Sequence, residues 1–350
     1  MTTTQGATDT TGDLLEPPAV AWRRAARLWA VVAVFIGVGI ARSVAIGIPF
    51  RDPHGAYLLT RVGLTVAIFA GLVVLDGFVR SGRPRSRRST LLAIRSRWTT
   101  RRLLLAASAL LAYHLTYFTY HNLKSWDVLN APRDAMLASW DRWLFLGHSP
   151  AVVLHDLLGQ HVAAWVLMVW YETFPTLVVV AFPAAVALAP RVRDAYVGIA
   201  AFVWVWILGT VTYYAIPSLG PFHEAPSDFA GLPHMPIQDT QAKYLAQRDD
   251  LLAHPHAPDA FAQISAFASL HVAVTATILG LAWWHRLRRT TAVLAVFLAG
   301  TAVATIYLGW HFAVDIPAGL LIAALAWGLA PLTVGVRRRP VTDPPRQGSP

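Results

Sequence analysis

Eight long apolar stretches limit this 350-residue chain to one kind of fold. A helix needs about 20 consecutive apolar residues to cross the hydrocarbon core of a membrane. Stretches of that order cover residues 28–49, 57–79, 103–121, 162–189, 195–216, 268–285, 290–309 and 312–334. Of all residues, 55% are hydrophobic and 14% are charged. Because backbone hydrogen bonds in lipid must be satisfied internally, we predict an all-α, polytopic membrane helical bundle of about eight transmembrane helices.

Basic residues lie in alternate loops and so indicate an orientation. Most of the 29 Lys and Arg residues fall before the first stretch, in 80–102, in 191–193, in 286–289 and after 334. Positive charge collects on the cytoplasmic side of membrane proteins, so we expect a multi-pass protein of the cell membrane with both termini in the cytoplasm. The net charge of +10 therefore reports topology and does not indicate a nucleic-acid partner.

Composition divides the chain into four segments. Residues 1–25 and 336–350 are polar or rich in proline, and we predict that they are disordered cytoplasmic tails. Residues 26–102 are expected to hold two accessory transmembrane helices and a basic cytoplasmic loop. Residues 103–335 are expected to form a six-helix catalytic membrane domain.

Two stretches between the apolar segments are long. Residues 122–161 carry an aromatic pattern that is typical of helices in the headgroup layer, although such helices can also frame a lipid entrance. Residues 217–267 include a polar segment, 239–250, that predicts one amphipathic helix. A loop this long is usually a lid or a binding surface, and it leads directly to His271.

A histidine and an aspartate stand at the start of the last apolar stretch. His311 and Asp315 are four residues apart, a spacing that predicts both on one helical face. The carboxylate can then accept the Nδ1 proton of the imidazole and leave Nε2 free as a nucleophile or base. A histidine at a helix end is also a common interfacial residue. A carboxylate inside a span, however, usually has a partner.

A second histidine opens the sixth stretch in the run Ser269-Leu270-His271. Counted from a cytoplasmic N-terminus, His271 and His311 both fall on the outer side, so they can share one site. Helix N-termini favour an anion such as phosphate, and Ser269 can add a hydroxyl donor. These residues favour cleavage of a phosphate ester. His311 attacks phosphorus, and protonated His271 donates a proton to the leaving oxygen. Water or an alcohol then resolves the phosphohistidine.

The motifs resemble those of the type 2 phosphatidic acid phosphatase superfamily, and within it the branch that contains inositol phosphorylceramide synthase. Ala268-Ser269-Leu270-His271 is similar to the second motif of that superfamily, Pro-Ser-Gly-His, in the Ser-Leu-His form of the synthase branch. Ala304-Thr305-x5-His311-x3-Asp315 is similar to the third motif, Ser-Arg-x5-His-x3-Asp. The resemblance covers roughly residues 110–335. It implies that His311 is the nucleophile, Asp315 its partner and His271 the proton donor.

The chain departs from these motifs in the residues that bind phosphate charge. Thr305 stands where the third motif has an arginine, and the first motif, Lys-x6-Arg-Pro, has no full match. Gly220 and Pro221 lie where the first motif is expected and look like the synthase branch. The phosphate charge can instead be met by one or more of four basic residues, among which the sequence does not choose: Lys124, Arg133, Lys243 and Arg248.

The resemblance implies a membrane lipid-phosphate phosphatase or phosphotransferase with its site on the extracytoplasmic face. Its substrate would be a lipid phosphate or phosphodiester, and one form of the reaction transfers an inositol phosphate between lipids to an alcohol acceptor. The residue set requires no metal or other cofactor, and the oligomeric state stays open. Two other hypotheses remain: a haem held by His271 and His311 as axial ligands, and a non-catalytic lipid-binding or transport bundle.

Overall fold

The computed structural model describes residues 17–82 and 85–336, and the regular secondary structure of those residues is helical throughout. The α-helices are α1 (Pro18–Ile46), α2 (Leu59–Arg80), α3 (Arg87–Arg97), α4 (Thr100–Asp127), α5 (Asp134–Leu144), α6 (Pro150–Leu158), α7 (Val162–Glu172), α8 (Phe174–Ala187), α9 (Val192–Ala215), α10 (Pro221–Glu224), α11 (Pro236–Ala253), α12 (Leu270–Trp284), α13 (Arg288–Tyr307) and α14 (Asp315–Thr333). Short 3-10 helices lie at Pro53–Gly55 and Pro226–Phe229. The predicted all-α class is confirmed.

Seven helical segments of the described chain are long and apolar enough to cross a membrane. They are α1, the segment 53–80 that contains α2, α4, the segment 162–187 that joins α7 and α8, α9, α13 and α14. The eighth predicted stretch, 268–285, forms α12, an apolar helix of only 15 residues. At 1.5 Å per residue α12 is about 22 Å long, which is less than the hydrocarbon thickness of roughly 30 Å.

The chain that leads to α12 enters the bundle without helical structure. Most residues of this non-helical segment, 260–269, are buried. Its backbone N–H groups find partners on the surrounding elements: Ala262 N donates to Ser125 Oγ (3.0 Å), Ala268 N to Thr212 Oγ1 (3.2 Å), and Ala266 N and Phe267 N to the carbonyl and hydroxyl oxygens of Ser218 (2.9 Å each). Irregular backbone inside a membrane protein is tolerated where protein groups satisfy it in this way.

Helix α9 occupies the centre of the bundle, where it contacts α4, α8, α12 and α14. Small residues let neighbouring helices approach it closely, as is common in membrane proteins. A Cβ atom at Gly209 would lie 2.5 Å from Leu270, the first residue of α12. Hydrogen bonds also connect α9 to its neighbours. Tyr196 Oη donates to the carbonyl oxygen of Leu105 on α4 at 3.0 Å, and Trp204 Nε1 donates to Thr333 Oγ1 on α14 at 2.9 Å. The start of α12 is therefore fixed against the bundle core.

Helices α1 and α2 lie at the edge of the bundle, but the connection between them is tied to its centre. Arg51 N donates to Asn122 Oδ1 on α4 at 2.8 Å, and Asn122 Nδ2 donates back to the carbonyl oxygen of Arg51. The Arg51 guanidinium donates to the carbonyl oxygens of Pro255 (2.8 Å) and Ala260 (2.5 Å). One buried side chain thus joins the N-terminal helix pair to the start of the non-helical segment 260–269.

The arginine-rich region around α3 packs onto the bundle through specific partners. Asp76, a carboxylate in α2, forms ion pairs with Arg80 (2.8 Å) and Arg97 (3.1 Å). Arg97 and Arg102 both donate to the carbonyl oxygen of Ala189 at 2.7 Å, just beyond the end of α8. Cations at a helix C-terminus satisfy carbonyl groups that lack a helical partner.

The ends of the predicted segments differ in part from the structure. Helix α1 begins at Pro18, so it extends into the segment 1–25 that we expected to be disordered. Proline suits the first turn of a helix, and Ala21 and Ala25 are buried against the bundle. Residues 1–16 and 337–350 of the expected tails lie outside the described residues. The amphipathic helix expected at 239–250 is present as the longer α11.

Candidate active site

His311 and Asp315 are in contact, but they do not share a helix. Their carboxylate–imidazole hydrogen bond, from His311 Nδ1 to Asp315 Oδ2, measures 3.1 Å. Helix α14 begins at Asp315, and His311 lies in the loop that follows α13. The loop turns because Trp310 N and His311 N both donate to the Thr305 carbonyl oxygen and Gly309 has a positive φ of 80°. The prediction of one helical face was therefore wrong, although the pair forms.

His271 completes a line of three side chains. It is the second residue of α12, and its Nδ1 lies 3.1 Å from His311 Nε2. Asp315 Oδ2 also accepts a hydrogen bond from Phe312 N at 3.1 Å, so it acts as an acceptor toward His311 Nδ1–H. His311 Nε2 then carries a lone pair, and His271 Nδ1–H is its donor. Hydrogen bonds thus run from His271 through His311 to Asp315.

The surroundings of this line keep His311 neutral. His311 and Asp315 are 4% and 0% exposed. Burial, with a smaller contribution from the positive charge of Lys124, lowers the pKa of the His311 imidazole to about 3. The His271 ring contacts the rings of Tyr171 and Phe174 at centroid distances of 4.7 and 4.5 Å. A neutral, oriented imidazole of this kind can act as a nucleophile.

A cavity of about 480 Å³ opens beside the two histidines. Its lining is rich in aromatic side chains, among them Tyr57, Tyr117, Tyr120, Tyr213, Tyr244 and Trp310. Its basic side chains are Arg61, His121, Lys124 and Lys243. Lys124 and Lys243 were both predicted to bind substrate, and both line the cavity. Arg61 and His121 were not singled out in the sequence, because nothing in α2 or α4 relates their spacing to the histidines.

Ser269 holds the start of α12 and does not line the cavity. It is fully buried, and its hydroxyl oxygen accepts a hydrogen bond from Val272 N at 3.4 Å as an N-cap. Its own N–H donates to the Asp315 carbonyl oxygen at 3.3 Å. A Cβ atom at Gly319 of α14 would lie 2.5 Å from the Ser269 carbonyl oxygen, so glycine is needed for this approach. The structure thus gives Ser269 a positioning contact between the helices of His271 and Asp315.

Gly220 and Pro221 also lie outside the lining of the cavity. Gly220 has a φ of 111°, and a Cβ atom there would lie 2.8 Å from the Trp310 carbonyl oxygen. Phe222 N donates to the Gly309 carbonyl oxygen at 3.0 Å. The turn that contains Gly220 and Pro221 therefore packs against the loop that carries His311.

Two buried carboxylates on α5 hold the loops around the site, and the sequence analysis missed them. Asp141 accepts hydrogen bonds from Ala313 N (2.7 Å) and Val314 N (2.9 Å), which belong to the same loop as His311. Asp134 accepts from Leu219 N (2.9 Å) and Gly220 N (3.0 Å). Burial raises the pKa of the Asp141 carboxyl to about 6, although both backbone hydrogen bonds oppose the shift. Helix α5 thus links the two loops.

The signal for these carboxylates was present in the spacing. Asp134 and Asp141 are seven residues apart, which places them two turns along one helical face. The opposite face exposes Trp143. The two carboxylates instead share the buried face with Leu137 and Ala138. Carboxylates buried in this way usually have partners.

The remaining candidates for binding phosphate charge lie elsewhere. Thr305 is fully buried, and its hydroxyl donates to the Ala302 carbonyl oxygen at 3.0 Å. Arg133 is exposed, and Arg248 pairs with Asp249 at 3.3 Å; neither lines the cavity. In the described part of the chain, no group of three His, Asp or Glu side chains is placed to hold a metal ion.

A family model described as the PAP2 superfamily matches residues 135–329, more than half of the chain. The chain belongs to the PAP2 superfamily. The matched PAP2 region contains Asp141, His271, His311 and Asp315, whereas α1, α2 and α4 lie outside it. Membership of the PAP2 superfamily identifies a phosphatase-type membrane protein. No curated protein and no solved structure matches the chain.

The arrangement of His271 and His311 does not fit the hypothesis that they bind a haem. Axial ligands on opposite faces of a haem are separated by the iron and its macrocycle. His271 Nδ1 and His311 Nε2 are instead hydrogen-bonded to each other at 3.1 Å, and the other nitrogen of His311 is bonded to Asp315.

Proposed function

We propose that this protein cleaves the phosphate ester of a membrane lipid in two steps, through a phosphohistidine at His311. The observation that carries the proposal is the unbroken line of hydrogen bonds from His271 through His311 to Asp315 in the wall of the cavity. Such a line supplies a proton donor, a nucleophile and an orienting carboxylate within hydrogen-bond reach of each other. PAP2 membership supports the same reaction class.

In the first step, the phosphoryl group of the substrate enters between the two imidazoles. His271 takes up a proton at Nε2 from the substrate or from solvent and becomes an imidazolium. The lone pair of His311 Nε2 forms a bond to phosphorus while the bond from phosphorus to the ester oxygen breaks. The Nδ1 proton of His271 passes to the departing oxygen, and Asp315 stabilises the positive charge that develops on His311.

In the second step, the phosphohistidine is resolved by an oxygen nucleophile. His271 Nδ1 accepts the proton of a water or alcohol molecule whose oxygen attacks phosphorus, and the bond from phosphorus to His311 Nε2 breaks. His271 then returns its Nε2 proton to solvent. Water gives a free phosphate product and an alcohol gives a new phosphate ester, so the two outcomes share one site.

For the second step, transfer of an inositol phosphate between lipids is the form of the reaction that the Ser-Leu-His run favours. The resemblance to the synthase branch rests on Ser269-Leu270-His271 and on the turn at Gly220 and Pro221. The cavity is larger than a phosphoryl group needs, and several tyrosine residues line it. These features are compatible with a polyhydroxylated headgroup beside the reacting phosphorus.

We place the site on the extracytoplasmic face. The alternation of basic loops supports this orientation, because His271 and His311 then both follow outer loops. The lipid substrate would come from the outer leaflet, and the rings around His271 would limit the access of water. Lys124 and Lys243 are the predicted substrate-binding residues that line the cavity and can meet phosphate charge.

The purified protein, incubated with labelled phospholipids and polyprenyl phosphates with and without candidate alcohols, tests the proposal. We expect free phosphate or a new phosphodiester, together with an acid-labile phosphoenzyme. His311→Ala should abolish both turnover and the phosphoenzyme. Normal turnover by His311→Ala would show that His311 is not the nucleophile, and a bundle that only binds or transports lipid would show no turnover even in the wild-type protein.

A further inference from the structure

Three half-buried basic side chains of the cavity have aromatic neighbours and form no ion pair among the described residues. Arg61 of α2 lies over the Tyr117 ring, with its guanidinium carbon 5.3 Å from the ring centre. The Lys124 ammonium lies 5.7 Å from the centre of the Tyr213 ring. None of the ion pairs among residues 17–82 and 85–336 includes Arg61, His121 or Lys124.

His121, the third of these side chains, packs among tyrosine rings. Its ring contacts those of Tyr57, Tyr117 and Tyr120 at centroid distances of 4.2, 4.4 and 4.8 Å. Neither ring nitrogen has a hydrogen-bond partner among the described residues. Buried polar groups without partners are rare and call for an explanation. An imidazole always carries at least one N–H, so His121 can offer a donor to the cavity in any protonation state.

Unpaired cations are costly inside a membrane bundle. Contacts with aromatic faces offset only part of the lost hydration, and buried charges are normally paired. The single carboxylate among the described residues that line the cavity is Glu172, and it forms no ion pair with these groups. Asp127 acts on Lys124 electrostatically without forming an ion pair. An anion in the cavity would supply the direct partner that these basic side chains lack among the described residues.

The structure assigns to Arg61, His121 and Lys124 an anion site that takes a phosphate group, held next to the reacting histidines. The planar fork of a guanidinium matches the oxygen atoms of phosphate, and an ammonium group adds a point charge. Arg61 and His121 belong to α2 and α4, outside the region matched by the PAP2 family. Helices α2 and α4 thus supply basic side chains to a site in which Thr305 supplies no charge.

Inorganic phosphate tests this assignment without turnover. A ligand that binds the folded state raises the melting temperature, so phosphate should raise that of the wild-type protein in detergent. The rise should persist in His311→Ala and be lost in Arg61→Gln. Arg42→Gln is the matched control, because Arg42 lies over the Tyr214 ring at 5.5 Å but lines no part of this cavity. It should keep the rise.

The same variants separate a folding defect from a binding defect. Without phosphate, Arg61→Gln should melt no lower than wild type, because it removes an unpaired cation. A lower melting temperature, an unchanged response to phosphate in Arg61→Gln, or no response in wild type would each overturn the assignment. Loss of the response in Arg42→Gln as well would do the same.

A kinetic measurement shows whether the phosphate group of the site belongs to the lipid or to free phosphate. This measurement needs turnover, so this part of the inference rests on the proposed function. If the site binds the lipid phosphate, Arg61→Gln should raise KM for a short-chain lipid phosphate by about tenfold, the loss expected for one charge-assisted hydrogen bond. If KM is unchanged while the response to phosphate is lost, the site takes free phosphate. A different result would contradict the proposed function, namely normal turnover of a lipid phosphate by His311→Ala.

Discussion

At the scale of single residues, the site depends on which proton each imidazole holds. Asp315 fixes the proton of His311 at Nδ1, and His311 Nε2 is thereby an acceptor. The substitution Asp315→Asn keeps the size of the side chain but replaces an acceptor oxygen by a donor group. The amide can then favour the wrong tautomer of His311, with its proton on the attacking nitrogen.

We therefore predict that Asp315→Asn remains folded and loses about three to four orders of magnitude in kcat. Turnover of a lipid phosphate by the purified variant measures the loss, and its melting temperature checks the fold. A variant with near-normal kcat would show that the carboxylate does not orient His311.

The pKa of His311 also predicts a pH dependence of stability. It is lowered from the ordinary value near 6.5 to about 3. Below pH 6.5 the His311 imidazole binds a proton in the unfolded state but not in the folded state. The free energy of unfolding therefore decreases as the pH falls from 6.5 to about 3. The slope contributed by one such group is at most about 1.4 kcal/mol per pH unit.

The measurement compares unfolding of the wild-type protein and His311→Asn over that range. The variant lacks this imidazole, so its stability should decrease less steeply with acid, while the two proteins should respond alike between pH 7 and 8. Parallel curves below pH 6.5 would show that His311 titrates normally in the folded protein.

At the scale of elements, α5 holds the loop that carries His311. Asp141 uses both carboxylate oxygens to hold the two residues that follow Phe312. Asp141→Asn would offer one oxygen and one NH2 group to two N–H donors, so one donor would face another. An unsatisfied buried donor costs about 1–3 kcal/mol.

We predict that Asp141→Asn lowers both the melting temperature and kcat. Asp156→Asn is the control, because Asp156 is exposed on the neighbouring α6. It should change neither quantity. If Asp141→Asn lowers the melting temperature but leaves kcat intact, α5 supports the fold alone and not the position of His311.

The elements also show what the sequence could and could not predict. Apolar length identified seven of the spans and the place of α12. The histidine–aspartate contact followed from a spacing of four, yet the backbone between them is a loop, because the hydrogen bonds to the Thr305 carbonyl oxygen end α13 there. The buried, non-helical segment 260–269 could not be predicted from the sequence, since its hydrogen-bond partners, such as Ser125 and Thr212, are distant in sequence.

At the scale of the whole molecule, the orientation in the membrane is open to a direct test. The chain contains no cysteine, so each introduced cysteine is unique. Ser96 on α3 and Ala242 on α11 are exposed. With a cytoplasmic N-terminus, α3 lies inside and α11 outside.

We predict that a membrane-impermeant maleimide labels Ala242→Cys in intact cells and labels Ser96→Cys only after the cells are permeabilised. The wild-type protein, which contains no cysteine, measures the background labelling. The reverse pattern would place the histidines on the cytoplasmic side and remove the outer leaflet as the source of substrate.

The hydrogen bond between the two imidazoles has a consequence for selectivity. His311 Nε2, the nucleophile in the mechanism that we propose, is hydrogen-bonded in the resting site to His271, the proposed proton donor to the leaving group. A molecule that enters the cavity must separate this pair before it can react. Anionic oxygen can take over the hydrogen bond of His271, whereas a hydrocarbon chain or a neutral glyceride offers it no replacement of equal strength. The bulk lipids of the membrane would therefore leave the nucleophile covered, and the choice of substrate would begin before any bond to phosphorus forms.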